Sequence, residues 1–282
     1  MEPTKTTVRI GLEKPLRVLH ISDNHLSYAD ERDDERKRAL AASRQISFGC
    51  KGDKDYETLI AQIDYANEHC DLLVHTGDVI DFVSHLNLEK AHEAFSRAKN
   101  LFMAVGNHEF SRYVGEAWED AEYRSKSLAL VQSAFKNDIR FASRVVNGVN
   151  LIAIDNGYYL IEQAQLDALK AECAKGMPVI LLMHVPLHAD DLCEDMMNVR
   201  GEPCSYLMNT PDSIVDTYSD HRARQQRADS VTREAYGYIV SEPMIKAIIA
   251  GHVHGRCYES KVTDTLTQYI VDVRTARRIT II

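Results

Sequence analysis

No stretch of this sequence approaches the roughly 18 consecutive apolar residues that cross a bilayer as a helix, so a membrane-spanning α-helix is not expected. The first residues, "MEPTKTTVRIGLEKPLRVLHISD", hold no apolar run of the kind that marks a secretory leader. None of the six cysteines stands in a C-x-x-C pair, and they are scattered along 282 residues, which argues against a disulfide framework. Together these absences point to a reducing compartment and a cytoplasmic protein with no membrane partner. Positive charge is in deficit: 33 Lys and Arg stand against 42 Asp and Glu, a net charge of -9. That balance disfavours a nucleic-acid backbone or an anionic lipid surface as partner. A small phosphorylated substrate stays open, because bound cations reverse the field locally. Internal repeats and low-complexity linkers are missing too, so one domain over residues 1–282 is the expectation.

What is present is ordinary for a globular chain, with 45% apolar and 27% charged residues. Short β-rich runs occur at 16–22, 72–77, 101–106, 151–155, 179–184 and 247–252. Helical patterns fall between the first five. Residues 55–70 put Leu59, Ile63 and Ala66 on one face, 87–99 put Leu88, Ala91 and Phe95, and 162–175 put Leu166, Leu169 and Cys173. Near-continuous apolar strands alternating with amphipathic helices indicate an α/β fold with covered sheets. Asn147-Gly148 predicts a hairpin turn, and "RCYESKV", "TQYIVDV" and "RRITII" add strand-like runs at the end. The expectation is therefore parallel strands mixed with antiparallel hairpins in two packed sheets. Two segments break the rhythm. Residues 26–53 carry the charge run "DERDDERKR", read as a solvated helix face or a loop. Residues 186–235 are long for a plain connection and suggest a lid or insertion, helical toward its end.

The informative residues follow the strands. Asp23, Asn24 and His25 follow the first run; Gly77, Asp78 and Asp81 the second; Gly106, Asn107, His108 and Glu109 the third. His184 closes the fifth, and Gly251, His252 and His254 the last. Ligands of open α/β sheets bind beyond the carboxyl ends of the strands, so distant segments can converge there. Imidazole, carboxylate and amide oxygen together suit ions of the Mn, Fe, Zn or Co class, and the absence of cysteine argues against structural zinc. There are too many such groups for one ion with an open position, and they suit two ions sharing a carboxylate. The D-x-H and H-x-H spacings would point both side chains the same way in extended backbone. Flanking glycines would let the chain pass close to the metals.

The motifs Asp23-x-His25, Gly77-Asp78-x-x-Asp81, Gly106-Asn107-His108-Glu109, His184 and Gly251-His252-x-His254, in this order, resemble the calcineurin-like metallophosphoesterase family. The resemblance implies a four-layer sandwich, two mixed β-sheets with helices on both outer faces. It implies two divalent or trivalent metal ions: one held by Asp23, His25, Asp78 and His254, the other by Asp78, Asn107, His184 and His252, with Asp78 shared. Water between them would attack phosphorus in line. His108 would protonate the leaving oxygen, with Asp81 orienting it.

Protein phosphatases of this superfamily have arginines where this chain has Phe82 and Val105. The chain looks more like the cyclic-nucleotide phosphodiesterase branch, so a diester is slightly preferred over a monoester. Asn156, at the end of the fourth run, and His188, in the 186–235 segment, are candidate substrate contacts; Arg222 and Arg224 could stand in for the missing arginines, though a solvated loop is the default. His20 and His75 read as hydrogen-bonded core residues within strands. A phosphomonoesterase or protein phosphatase on the same site is the alternative. From another class, so is a non-catalytic scaffold of the same fold, which the intact His108 and ligand set disfavour.

Overall fold

The computed structural model describes residues 2–47, 53–113 and 121–282; Cys50 and the last part of the 26–53 segment lie outside them. The chain runs β1 (Thr4–Val8), β2 (Leu16–Ile21), α1 (Glu35–Ser47), α2 (Lys54–His69), β3 (Leu72–Thr76), α3 (His85–Ser96), β4 (Leu101–Ala104) and α4 (Ala121–Gln132). It continues β5 (Phe141–Val146), β6 (Val149–Ile154), α5 (Gln163–Cys173), β7 (Val179–Leu182), α6 (Asp190–Glu194), α7 (Asp212–Val215), α8 (Asp220–Gln226) and α9 (Ser230–Ser241). It ends β8 (Ile245–Ala250), β9 (Tyr258–Lys261), β10 (Thr267–Ile270) and β11 (Arg277–Ile281). One sheet has the order β1-β11-β2-β3-β4 and the other β5-β6-β7-β8-β10-β9. Both are mixed: β2, β3 and β4 are parallel with β11 antiparallel to β2, and β6, β7, β8 and β10 are parallel with antiparallel edges.

The central strands are apolar on both faces because both faces are covered. Leu72 and Val74 of β3 meet Ile180 and Leu182 of β7 between the sheets. Leu73 points instead to a layer formed with Leu59 and Ile63 of α2 and Phe95 of α3. Val179 and Leu181 point to the layer under α5 and α9, with Leu166, Leu169 and Ile239. Each buried aliphatic side chain contributes about 2 kcal/mol. The helical faces read from the sequence are the buried ones, and Asn147 (φ 51°) and Gly148 (φ 85°) form the two left-handed positions of the β5–β6 turn. His20 and His75 are fully buried, bonded to Thr76 Oγ1 and Asn24 Oδ1 at 2.9 Å each.

The structure departs from the sequence reading at one strand and fills in two segments. The edge strand β1, "TKTTV", is mostly exposed and polar, so it carries no apolar signal. The charge run leads into α1, which is largely exposed and buries Ala41, in keeping with a solvated helix face. The 186–235 segment is folded over much of its length, with Leu192, Met196, Leu207 and Met208 packed on the second sheet's outer layer.

Arg277 on β11 ties the two sheets at one edge. It is 1% exposed, donates to Thr6 Oγ1 (2.6 Å) and to the Tyr258 carbonyl (3.0 Å), and is ion-paired with Glu259 of β9. Arg277→Leu removes the donor to the Tyr258 carbonyl and leaves Glu259 with the Thr6 hydroxyl alone. It is expected to cost about 2 kcal/mol, seen as a lower urea midpoint at unchanged slope.

Candidate metal centre

The parallel strands β2, β3 and β4 end on one side of the first sheet, and β7 and β8 on the adjoining side of the second. The turns that follow them meet. Asp23, His25 and His254 converge in one triad, and Asp78, His184 and His252 in another. In the first, His254 Nε2 lies 3.1 Å from Asp23 Oδ1 and 3.1 Å from His25 Nε2. In the second, His184 Nε2 lies 3.0 Å from Asp78 Oδ2 and 3.1 Å from His252 Nδ1. The same Asp78 Oδ2 is 3.9 Å from His25 Nε2, so this carboxylate borders both triads. Asn107 Oδ1 is buried without a hydrogen-bond partner.

This donor set fits a pair of cations. His184 Nδ1 donates to the Thr76 carbonyl at 2.7 Å and His25 Nδ1 to Asp81 Oδ1 at 3.1 Å. Their Nε2 lone pairs therefore face carboxylate oxygens and other imidazole nitrogens. Lone pairs so opposed in a dry site repel unless a cation stands among them. Protonation is the other remedy. Burial depresses His184, yet Asp78 and Asp23 raise it to about 9. Burial alone would raise Asp78, but His184, His108 and His25 hold it well below the usual carboxylate range.

The backbone is bent to make these contacts. Asp23 (φ 58°), His25 (φ 49°), Asp78 (φ 54°) and His252 (φ 71°) are all left-handed, a conformation that non-glycine residues rarely adopt away from functional sites. The D-x-H and H-x-H segments are thus not extended, and the i, i+2 argument does not account for their aim; the turns do. The glycines serve loop-to-loop contact instead. A Cβ on Gly106 would sit 2.2 Å from Asp78 Oδ1, and one on Gly251 would sit 2.1 Å from Ser22 Oγ and 2.5 Å from Asp23 Oδ2.

A model of the calcineurin-like phosphoesterases matches residues 16–256. The chain belongs to that family. Its members are metal-dependent phosphoric ester hydrolases with dinuclear centres, and the two triads are the candidate ligand groups for such a pair. The chain is 27% identical over 177 residues to the DNA double-strand break repair protein Mre11 of Sulfolobus acidocaldarius, across 60% of this chain and 41% of that one. Its fold is similar to purple acid phosphatase PPD1 from seeds of yellow lupin (Lupinus luteus), with a TM-score of 0.52 at 13% identity, across 92% of this chain and 44% of that one. The matches therefore span less than half the length of each of these relatives. Among the described residues no helix is long and apolar enough to cross a membrane.

Around the two triads, Asp81 does more than face His108. Its Oδ1 lies 3.1 Å from His25 Nδ1 and 3.2 Å from His108 Nδ1, its carbonyl accepts from His108 Nδ1 at 2.7 Å, and Arg44 of α1 donates to its carboxylate at 2.6 and 3.0 Å. Burial depresses His108, but Asp78 and then Asp81 raise it to about 10. Tyr159, fully buried, sets its hydroxyl 2.8 Å from His252 Nε2. Neither Arg44 nor Tyr159 was singled out for these contacts from sequence, since each is brought in by an element far away in the chain.

Asn156 and His188 are not among the residues lining the cavity over this centre. Asn156 is fully buried, accepts from the His184 and Val185 amides at 3.0 and 3.1 Å, and donates to the Val185 carbonyl at 2.7 Å. It holds the turn that carries His184. His188 lines a separate cavity with Cys193 and Met197. The cavity over the centre, about 210 Å³, is bounded by Asp78, Asn107, His108, His252 and His254 and, from the 186–235 segment, by Met196, Arg200, Glu202 and Tyr206.

Glu109 fastens two of the ligand turns. Its carboxylate accepts from the amides of Asp78 (2.8 Å), Val79 (2.7 Å), Ile80 (3.3 Å) and Gly106 (2.6 Å). Burial, then the Asp78 charge, pushes it up to about 7. Glu109→Gln turns an amide N–H₂ toward these donors. The expected result is a loss on the order of 3 kcal/mol by chemical denaturation, together with weaker metal retention through dialysis.

Proposed function

We propose that this chain hydrolyses a small phosphate ester at a two-metal centre, with Asp23, His25, Asp78 and His254 around one ion and Asp78, Asn107, His184 and His252 around the other. What carries the reading is the shared Asp78 between two triads whose lone pairs converge, beside the unpartnered oxygen of Asn107. Ions of the Mn, Fe, Zn or Co class bound there would supply Lewis acidity, activating water and stabilising the phosphoryl oxygens. The protein's own part is proton delivery and alignment. His108 Nδ1 is engaged by Asp81, which leaves Nε2 to give its proton to the leaving oxygen as the phosphorus–oxygen bond breaks and water adds. Asp81 fixes both His108 and His25 and is itself fixed by Arg44. The whole chain is read as one catalytic unit capped by 186–235, working in the cytoplasm.

The lean toward a diester rests on the arginines absent at Phe82 and Val105, both of which are fully buried. Arg200 in the cavity wall removes that ground, so the monoester is as well supported. The likeness to Mre11, a DNA repair protein, raises a nucleic-acid substrate as a second reading. A net charge of -9 and a small cavity partly walled by the 186–235 segment disfavour duplex DNA.

Turnover of nitrophenyl mono- and diesters with added Mn is expected, and a chelator is expected to abolish it. His108→Ala should keep its metals and lose on the order of 10²- to 10⁴-fold in kcat, whereas Asp78→Asn should lose metal as well, both checked by elemental analysis beside rates. Undiminished turnover in His108→Ala removes the acid role. A metal-loaded protein inactive on every ester points to the scaffold reading.

A further inference from the structure

The described residues of the 186–235 segment place one arginine in the wall of the cavity, at the end of an unusual turn. Residues Asp195–Val199 are wound as a π-helix directly after α6, and the Arg200 amide closes it on the Asp195 carbonyl at 2.9 Å. Such insertions are uncommon and concentrate at functional sites. Here the wide turn brings both Met196 and Arg200 to the cavity that His108 and Asn107 line.

The turn is anchored to the metal-ligand loop rather than left to hang over it. Asp195 accepts from the Tyr258 hydroxyl at 2.7 Å and pairs with Arg256. Arg200 Nη1 donates to the carbonyl of His254 and lies 3.1 Å from Met196 Sδ. The guanidinium also lies against Gly255, where a Cβ would meet Cζ at 3.3 Å. Its side chain is 26% exposed, so the charge is partly shielded and stronger for it. Its acidic neighbour is loosely held: Nη2 to Glu202 Oε1 is 3.4 Å. The guanidinium is thus fixed through Nη1, and a phosphate oxygen can displace Glu202 from Nη2.

We infer that Arg200 is the phosphate-binding cation of this site and that it selects phosphate monoesters. The inference rests on the phosphoesterase reading above and deepens it. A monoester carries three terminal oxygens on phosphorus and a diester two. Cations held by the ligand cluster in the floor of the cavity would take two of them. With Nη1 held by the His254 carbonyl, Nη2 is placed to meet the third oxygen, and a charge-assisted hydrogen bond to it is worth far more than a neutral contact. Met196 and Tyr206 narrow the same cavity to about 210 Å³, which suits a compact leaving group.

The test uses metal-loaded protein and three readouts. Arg200→Met preserves much of the bulk and removes the charge; Arg200→Lys keeps the charge and loses the planar group that can hold the His254 carbonyl through one nitrogen and an anion through the other. In Arg200→Met, kcat/KM for nitrophenyl phosphate is expected to fall on the order of 10²-fold, at least about tenfold more than for the matching diester. Binding of inorganic phosphate, measured by calorimetry without turnover, should weaken at least about tenfold. Arg200→Lys should recover part of both losses. Metal content and melting temperature report whether the fold and centre persist. Equal losses on monoester and diester, or unchanged phosphate affinity in a folded, metal-replete Arg200→Met, overturn the inference. A wild type inert toward both esters that still loses phosphate affinity on substitution sinks the hydrolase reading while leaving Arg200 as the anion site.

Discussion

Two carboxylates and four imidazoles are held within a few ångströms of one another in a buried pocket, with their lone pairs turned inward. That arrangement costs free energy in the absence of cations, because groups that would be hydrated in the unfolded chain face each other instead. The rest of the structure works to impose it. Four of these residues sit in left-handed backbone, a conformation that persists only where the surroundings over-determine it. Glu109 does so for the Asp78 turn by gathering four amides, and Asn156 for the His184 turn by gathering two.

The sandwich supplies the rigidity these turns need. Strands buried on both faces cannot slide, since a shift of one residue would exchange the inter-sheet layer with the helix-facing layer. With β3 and β7 locked in that way, the turns at their ends are set relative to each other across the sheet interface, and Asp78 and His184 come to 3.0 Å. Arg277 fastens the sheets at one edge, and the Thr76 carbonyl of one sheet bonds His184 of the other at 2.7 Å. The candidate ligand cluster is thus part of what joins the two halves.

Over this frame lies the part of the molecule that differs from the Ser/Thr phosphatase pattern. Phe82 and Val105 occupy the positions of those enzymes' arginines, and both are fully buried. An arginine reaches the cavity instead from the segment between β7 and β8, through a π-turn anchored to the loop of His254. Arg44 reaches Asp81 from α1 in the same manner, from outside the strand-end motifs.

The sequence by itself determined the strand–helix alternation, the faces of α2, α3 and α5, the β5–β6 turn, and the set of strand-end side chains. All of these follow from local periodicity or from short spacings within a dozen residues. The edge strand β1 carries no apolar signal because it buries little. Only tertiary structure decided that Asp78 borders both triads, that Asn156 supports a turn rather than meeting a ligand, and that Arg200, Arg44 and Tyr159 reach the centre. Those contacts join residues tens to hundreds of positions apart, through turns whose left-handed geometry no pattern of polar and apolar letters encodes. A long side chain such as arginine reports its charge in a sequence; where it delivers that charge depends on the packing of the segment beneath it.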